Sequence, residues 1–149
     1  VEKGPSTHNS FQAAIVTPAL VKADRATGLA FERCAFRHTG AYAIHLENDC
    51  VSNRIVSCRF EDLGAGAIGF SGGNSPKAES EINEFLTVRN SILRHGGRMV
   101  QGAIGVWIGH ARDCLVEHND IYDFYYTGSG AAYLSRHGID PNGADASCT

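Results

Sequence analysis

The stretch "FERCAFRHTGAYAIHL" (31–46) recurs 24 positions later in altered form, as "IVSCRFEDLGAGAIGF" (55–70). Matching positions keep their character: Phe31 corresponds to Ile55, Cys34 to Cys58, Phe36 to Phe60, Gly40 to Gly64, Ile44 to Ile68 and Leu46 to Phe70. Within each copy the apolar residues are mostly two apart and glycine interrupts the run, which favours short strands over an amphipathic helix. A repeat of this length predicts strands stacked coil upon coil.

Two further copies follow, "TVRNSILRHGG" (87–97) and "LVEHNDIYDFYYTG" (115–128). We align the third copy on the second at an offset of 32, and the fourth on the third at an offset of 29. The expected equivalences are Asn90 with Cys58, Ile92 with Phe60, Gly96 with Gly64, Asn119 with Asn90 and Ile121 with Ile92. The extra residues fall in "GGNSPKAESEIN" (72–83) and "RMVQG" (98–102), which have loop composition.

These copies predict an all-β fold, a right-handed parallel β-helix (solenoid) of about four to five coils with strands about 4.8 Å apart. Residues 1–149 form one domain, in which the repeat is clear over 27–128 and 129–149 is a divergent tail or cap. Asn in the Cys/Cys/Asn/Asn column suits a tight bend, where it tolerates left-handed backbone and can bond to its neighbours in the stack. Cys34 and Cys58 are expected as small buried hydrophobes, with a disulfide as the alternative.

Composition excludes several classes of partner. With 19% charged residues and a net charge of −3, nothing favours a nucleic acid or an anionic membrane. No apolar run approaches the roughly 20 residues of a membrane span. Five cysteines without a Cys-x-x-Cys pair indicate neither zinc nor a complete disulfide framework. The 17 glycines, against about 10 expected at average usage, fit many tight turns.

The segments "CAFRHTGAYAIHL", "CRFEDLGAGAIGF" and "NSILRHGGRMVQGAIGVWIGHARDCLVEHNDIYDFYYTG" resemble right-handed β-helix proteins of the pectin-lyase-like superfamily. The chain is most similar to large bacterial polysaccharide-degrading proteins, which include a glycoside hydrolase family acting on plant cell-wall glycans. The resemblance covers about residues 27–128, and the family pattern is lost after Gly128. It implies a polysaccharide or oligosaccharide partner and a longer parent protein, secreted or periplasmic, of which this chain without a signal peptide is a fragment.

Polar residues follow the Phe36/Phe60 column by two positions in every copy, and the alignment names them as His38, Asp62, Arg94 and Asp123. Asp62 and Asp123 would lie two strands apart, about 10 Å at the backbone, within side-chain reach of the separation in inverting glycosidases. Both also match aspartates in the family's segments. We expect them to be the catalytic pair, with Arg94 tuning their pKa values by proximity. The alternative is structural, since a carboxylate before a turn often accepts backbone N–H bonds.

Other side chains are candidates for substrate binding. If Ile44 and Leu46 point inward, His45 and Glu47 point outward. Trp107 would either offer a flat face to a sugar ring or fill the core. The remaining candidates are His95, as an acid or base or as a surface hydrogen-bonder, His110 near Trp107, and Tyr125 and Tyr126, which either line a glycan groove or cover a coil end.

The leading interpretation is a glycoside hydrolase acting on a polysaccharide. A polysaccharide lyase, with Arg or Lys as base, and a non-catalytic glycan-binding or adhesin β-helix are the alternatives, since one fold hosts many activities. We expect no cofactor and no metal: Cys114 and His110 have no zinc spacing, and no three oxygen ligands for Ca²⁺ converge in the sequence. "GAGAIG" (64–69) has no helix after it, so it is not a nucleotide loop.

Overall fold

The structure is a computed structural model that describes residues 12–71 and 82–132. Their strands are β1 (Ala19–Ala23), β2 (Ala30–Glu32), β3 (Ala35–Thr39), β4 (Tyr42–Leu46), β5 (Arg54–Val56), β6 (Arg59–Leu63), β7 (Ile68–Phe70), β8 (Asn83–Glu84), β9 (Thr87–Arg89), β10 (Ile92–Gly96), β11 (Val106–Gly109), β12 (Ala111–Arg112), β13 (Leu115–Glu117), β14 (Asp120–Phe124) and β15 (Ser129–Ala132). Apart from one 3₁₀ turn at Gln12–Ala14, these two ranges contain no helix. The described chain is therefore all-β, as predicted. Within it, no helix has the length and apolarity needed to cross a membrane.

Every strand pairing is parallel. The sheets have the strand orders β1-β4-β7-β11-β15, β14-β10-β6-β3, β13-β9-β5-β2 and β12-β8. Strands that follow one another in the chain, such as β5, β6 and β7, belong to three different sheets, and each pairs with its equivalent from another repeat. Equivalent strands of successive repeats therefore pair with one another in parallel sheets.

The predicted register between the first two repeats is confirmed. Phe36 pairs with Phe60 and Ile44 with Ile68, both at the offset of 24. The two phenyl rings stack with their centroids 4.9 Å apart and their planes within 4° of parallel. Such columns of like apolar side chains fill the interior of the stack.

The predicted register of the third repeat is wrong by one residue. Leu93, not Ile92, pairs with Phe60, an offset of 33, and Ile121 pairs with Leu93 at an offset of 28. Leu93 is fully buried, whereas Ile92 is only partly buried, so the shift places the better-packed side chain inside. The hydroxyl of Ser91 also accepts the N–H of Cys58 at 3.0 Å, so that Ser91 takes the place assigned to Asn90.

A buried asparagine supports the bend between β13 and β14, within the fourth repeat. The Oδ1 atom of Asn119 accepts the N–H of Ser91 at 2.9 Å, and its Nδ2 atom donates to the carbonyl of Val88 at 2.9 Å. Left-handed backbone falls one residue earlier, at His118, with a φ of 52°. The predicted bond between neighbouring repeats is therefore confirmed at Asn119. The predicted left-handed backbone is confirmed at Asn90, with a φ of 52°, but not at Asn119.

The described cysteines, Cys34, Cys50, Cys58 and Cys114, are all free thiols. Cys58 is buried in the main apolar cluster and Cys34 packs against it half-buried. Burial raises the pKa of the Cys58 thiol, and its Sγ atom lies 3.3 Å from the carbonyl oxygen of Phe31. The prediction of a small buried hydrophobe is confirmed for Cys58, whereas Cys34 is only partly buried. Most of the loop at 72–83 and of the tail at 129–149 lies outside the described residues.

Candidate functional site

The column two residues after the Phe36/Phe60 column consists of His38, Asp62, His95 and Asp123, here called the aspartate column. Each member is the fourth residue of a five-residue strand, on β3, β6, β10 and β14. All four have left-handed backbone, with φ between 54° and 57°. Both aspartates lie in this column, as predicted, whereas His95 occupies the position predicted for Arg94.

Basic side chains contact both carboxylates of the aspartate column. The Nδ1 atom of His38 lies 2.7 Å from Oδ2 of Asp62. The Nε2 atom of His95 lies 3.7 Å from Oδ2 of Asp123, and the Arg98 guanidinium donates to the same oxygen. The side chains of Asp62 and Asp123 are 54% and 49% exposed, so solvent and an extended ligand can reach both.

The predicted position of Arg94 between the two aspartates is wrong. Because of the one-residue shift, Arg94 lies in the neighbouring column, where it pairs with Glu61 and Tyr122. Its guanidinium donates to the Glu61 carboxylate, and to the Tyr122 hydroxyl at 3.0 Å. The bond from Arg94 lowers the pKa of the Glu61 carboxyl. Arg98, which the sequence analysis did not select, is the arginine that contacts Asp123.

A cavity of about 130 Å³ lies elsewhere on the molecule, beside the sheet that contains β4, β7 and β11. It is here called the Trp107 cavity, and it is lined by Ile15, Val16, His45, Glu47, Gly69, Ser71 and Trp107. Three predicted binding residues, His45, Glu47 and Trp107, are thus brought together. The burial of Ile44 and Leu46 confirms that His45 and Glu47 point to the opposite side.

A glycine makes room for the histidine of the cavity. Along the sheet, His45 pairs with Gly69, which in turn pairs with Trp107. A Cβ atom added at Gly69 would overlap the imidazole of His45. The ring therefore occupies the space that a side chain at position 69 would take, and it is largely removed from solvent.

The polar groups of the cavity carry no net charge near pH 7. Burial lowers the pKa of His45 to about 4, so its imidazole is neutral. The Nζ atom of Lys22 lies 2.9 Å from Oε1 of Glu47, which balances the carboxylate. The bond to Glu47 in turn raises the pKa of Lys22.

Trp107 is buried, with 6% of its surface exposed, but it does not belong to the main apolar cluster. It lies in line with Gly69 and His45 and lines the cavity. It packs against Ala13, Ile15 and Ile104. Its indole Nε1 atom is also buried and has no hydrogen-bond acceptor within the described part of the chain. Leaving such a donor unsatisfied costs about 1–3 kcal/mol, so an acceptor there would be stabilising.

The predicted tyrosines lie on the surface near Asp123. Tyr125 and Tyr126 are 60% and 61% exposed. The guanidinium carbon of Arg98 lies 5.5 Å from the centroid of the Tyr125 ring, within the range of a cation–π contact. Tyr125 thus joins Arg98, His95 and Asp123 in one exposed group.

His110 is not among the residues that line the Trp107 cavity. It directly follows β11 with a left-handed φ of 48°, and its carbonyl accepts the N–H of Asn83 at 3.3 Å. The structure therefore places it in the turn after the strand that carries Trp107, away from the lining of the cavity.

Ile15, Val16 and Lys22 are not among the predicted site residues. All three lie before residue 27, the predicted start of the repeat. Lys22 pairs with His45 at an offset of 23, close to the main repeat, so an alignment begun earlier would have found it. Ile15 and Val16 belong to no copy, and no periodic signal indicates them.

Within the residues that the structure describes, no group of three or more His, Cys, Asp or Glu side chains is arranged to hold a metal ion. Comparison with protein-family models, with curated proteins and with solved structures finds no match for this chain.

Proposed function

We propose that this chain is a segment of a right-handed parallel β-helix belonging to a longer, secreted or periplasmic protein that hydrolyses a polysaccharide. Support for the architecture comes from the parallel sheets, to each of which several repeats contribute one strand in register. Support for a carbohydrate substrate comes from the resemblance to polysaccharide-degrading β-helix proteins.

The observation that carries the catalytic proposal is the position of Asp62 and Asp123 in one solvent-accessible column. They are separated by two strand spacings, about 10 Å at the backbone. Inverting glycosidases hold their carboxyl groups about 6.5–9.5 Å apart, a separation that two side chains on this column can reach. A polysaccharide lying along the column would contact both.

In this mechanism one aspartic acid protonates the glycosidic oxygen of the leaving group, and the other carboxylate takes a proton from the attacking water. His38 would orient Asp62 through its bond to Oδ2. Arg98 and His95 would orient Asp123. The exposed Tyr125 next to Arg98 would offer an amphipathic ring to a neighbouring sugar.

The test is release of reducing ends from plant cell-wall polysaccharides by the protein that contains this segment. Asp62→Asn and Asp123→Asn should each reduce turnover by about 100-fold or more, the contribution typical of a general acid or base. Asp120→Asn is the matched control, because Asp120 is an exposed aspartate on the same strand as Asp123 but in another column. Wild-type turnover by folded Asp123→Asn protein would remove the assignment.

A non-catalytic glycan-binding role is the second candidate. It is favoured by one observation: Asp62 and Asp123 are each already engaged by a basic side chain, His38 and Arg98 respectively. Binding to a glycan array without new reducing ends would support it over hydrolysis. Products with a new ultraviolet absorbance would instead indicate a lyase.

A further inference from the structure

We propose that the Trp107 cavity is a second ligand site, which binds a single uncharged sugar ring and is separate from the aspartate column. The choice of a sugar rests on the proposed function; the size, charge and hydrogen-bonding character of the ligand follow from the cavity itself.

The size of the cavity limits the ligand to about one ring. Its volume is about 130 Å³. An apolar protein cavity of about 150 Å³ is known to accept one benzene molecule, and a water molecule takes about 30 Å³ in the liquid. A six-membered ring with part of its substituents directed to solvent therefore fits, and an oligosaccharide would have to continue outside the cavity.

The lining favours a ligand with hydroxyl groups over a hydrocarbon. Trp107 contributes a buried indole N–H that has no acceptor among the described residues. Glu47 contributes carboxylate oxygens, and His45 an imidazole. Ile15 and Val16 supply apolar surface on the other side. Sugar rings combine apolar C–H faces with hydroxyls that both donate and accept, whereas a hydrocarbon would leave the indole donor without a partner.

The charges of the cavity favour an uncharged sugar over a uronic acid. A uronate would place a second carboxylate beside Glu47, and the nearby cation Lys22 is already paired with Glu47 at 2.9 Å. His45 cannot compensate, because burial lowers its pKa to about 4 and keeps the ring neutral at pH 7. Among the residues that the structure describes, no Lys or Arg side chain lines this cavity.

Intrinsic fluorescence tests the proposal directly, because Trp107 is the only tryptophan in the chain. The protein is titrated separately with D-glucose, D-galactose, D-mannose and D-xylose, and with D-galacturonate as the charged probe. We expect a saturable change in Trp107 emission with at least one uncharged sugar and none with galacturonate. Absence of saturation with all four sugars, or equal binding of galacturonate, would overturn the proposal.

Two variants locate the binding. Val16 lines the cavity and is 61% exposed, so Val16→Phe narrows the opening with little risk to folding. It should weaken sugar binding by about tenfold or more, equivalent to about 1.4 kcal/mol of lost contact. Leu115→Phe is the matched control, because Leu115 is an exposed aliphatic residue on another sheet, and it should bind as the wild type does. Unchanged binding by Val16→Phe would overturn the assignment to this cavity.

Asp123→Asn separates this site from the proposed catalytic column. The variant should retain the fluorescence response to the sugar, because Asp123 does not line the cavity. Loss of turnover with retained binding supports two sites, whereas loss of the response in this variant would contradict their separation. If Asp123→Asn keeps full turnover while Val16→Phe still loses sugar binding, the hydrolase assignment fails and the ligand site stands.

Discussion

The neutrality of His45 makes the free energy of unfolding depend on pH. In the folded chain burial lowers its pKa to about 4, while an unfolded histidine titrates near 6.5. Below about pH 6.5 the unfolded chain therefore binds a proton that the folded chain does not. The stabilisation by neutral His45 is complete above pH 6.5 and is lost progressively as the pH falls toward 4.

Replacing His45 with Gln should remove this titration. We expect the wild type to lose on the order of 2–3 kcal/mol more than His45→Gln between pH 6.5 and pH 4. Urea unfolding of both proteins across that range measures the difference, in which the shared contribution of the carboxyl groups cancels. Parallel pH profiles would show that the imidazole is solvated in the folded chain.

Asn119 stabilises the bend through two bonds that no backbone group replaces. Asn119→Ala leaves the N–H of Ser91 and the carbonyl of Val88 without these partners, so we expect a loss of about 2–4 kcal/mol in urea unfolding. Asn48→Ala is the control, because its bond to Asp24 is exposed and its loss should cost less than about 0.5 kcal/mol. If the two variants lost the same free energy of unfolding, the burial of the Asn119 bonds would not explain their contribution to stability.

The third repeat shows where single residues limit prediction. In "NSIL" (90–93) both Asn90 with Ile92 and Ser91 with Leu93 satisfy a spacing of two. The pattern alone does not choose between these pairs. The register depends on the packing of Leu93 against Phe60 and on the hydrogen bond from the Cys58 N–H to the Ser91 hydroxyl. Neither contact can be recognised from the sequence pattern. A one-residue slip then exchanges Arg94 for His95 in the aspartate column.

At the scale of elements, the turn between β6 and β7 lies directly on the turn between β3 and β4. A Cβ atom added at Gly64 would lie closer than 3.0 Å to the backbone carbonyl of Gly40, whereas one added at Gly40 meets nothing within 4 Å. The sequence aligns these glycines as equivalents, yet only one of them is required by close backbone approach.

Alanine substitution should separate the two positions. We expect Gly64→Ala to lower the free energy of unfolding by about 1–3 kcal/mol, because a backbone turn must move to admit the methyl group. Gly40→Ala should change it by less than about 0.5 kcal/mol. Chemical denaturation measures the free energy of unfolding of both variants. Similar values would mean that the two turns can move apart without loss of stability.

The elements also explain which site residues were predictable. His45 lies between the buried Ile44 and Leu46, so its placement on the other side of the strand follows from alternation. Asp62 and Asp123 each lie two residues after a buried apolar side chain, so alternation alone would point them inward. Both have left-handed backbone and are exposed, which the alternating pattern does not predict. The Trp107 cavity additionally needs Ile15 and Val16, which come before β1 and outside the repeat. A site formed by a repeat and a non-repeating segment has no periodic signature, so only coordinates bring its two parts together.

At the scale of the whole described chain, parallel pairing between repeats makes each strand depend on the strands on either side of it. In the sheet ordered β14-β10-β6-β3, the strands β6 and β10 are paired on both sides, whereas β3 and β14 each have one partner within the described residues. In stacked repeats, stability is the sum of each repeat and its interfaces with its neighbours. Strands with one interface should therefore open at lower free energy than strands with two.

Hydrogen exchange measured by mass spectrometry tests whether strands with one partner open more easily than strands with two in the same sheet. Peptides covering β6 (Arg59–Leu63) should retain deuterium protection longer than peptides covering β3 (Ala35–Thr39), a strand of equal length that pairs with it in register. The amides of β14 should exchange faster than those of β10, because β14 has one strand partner among the described residues and β10 has two. Equal protection in all four strands would mean that the stack opens only as one cooperative unit, and the additive description of its repeats would then be wrong.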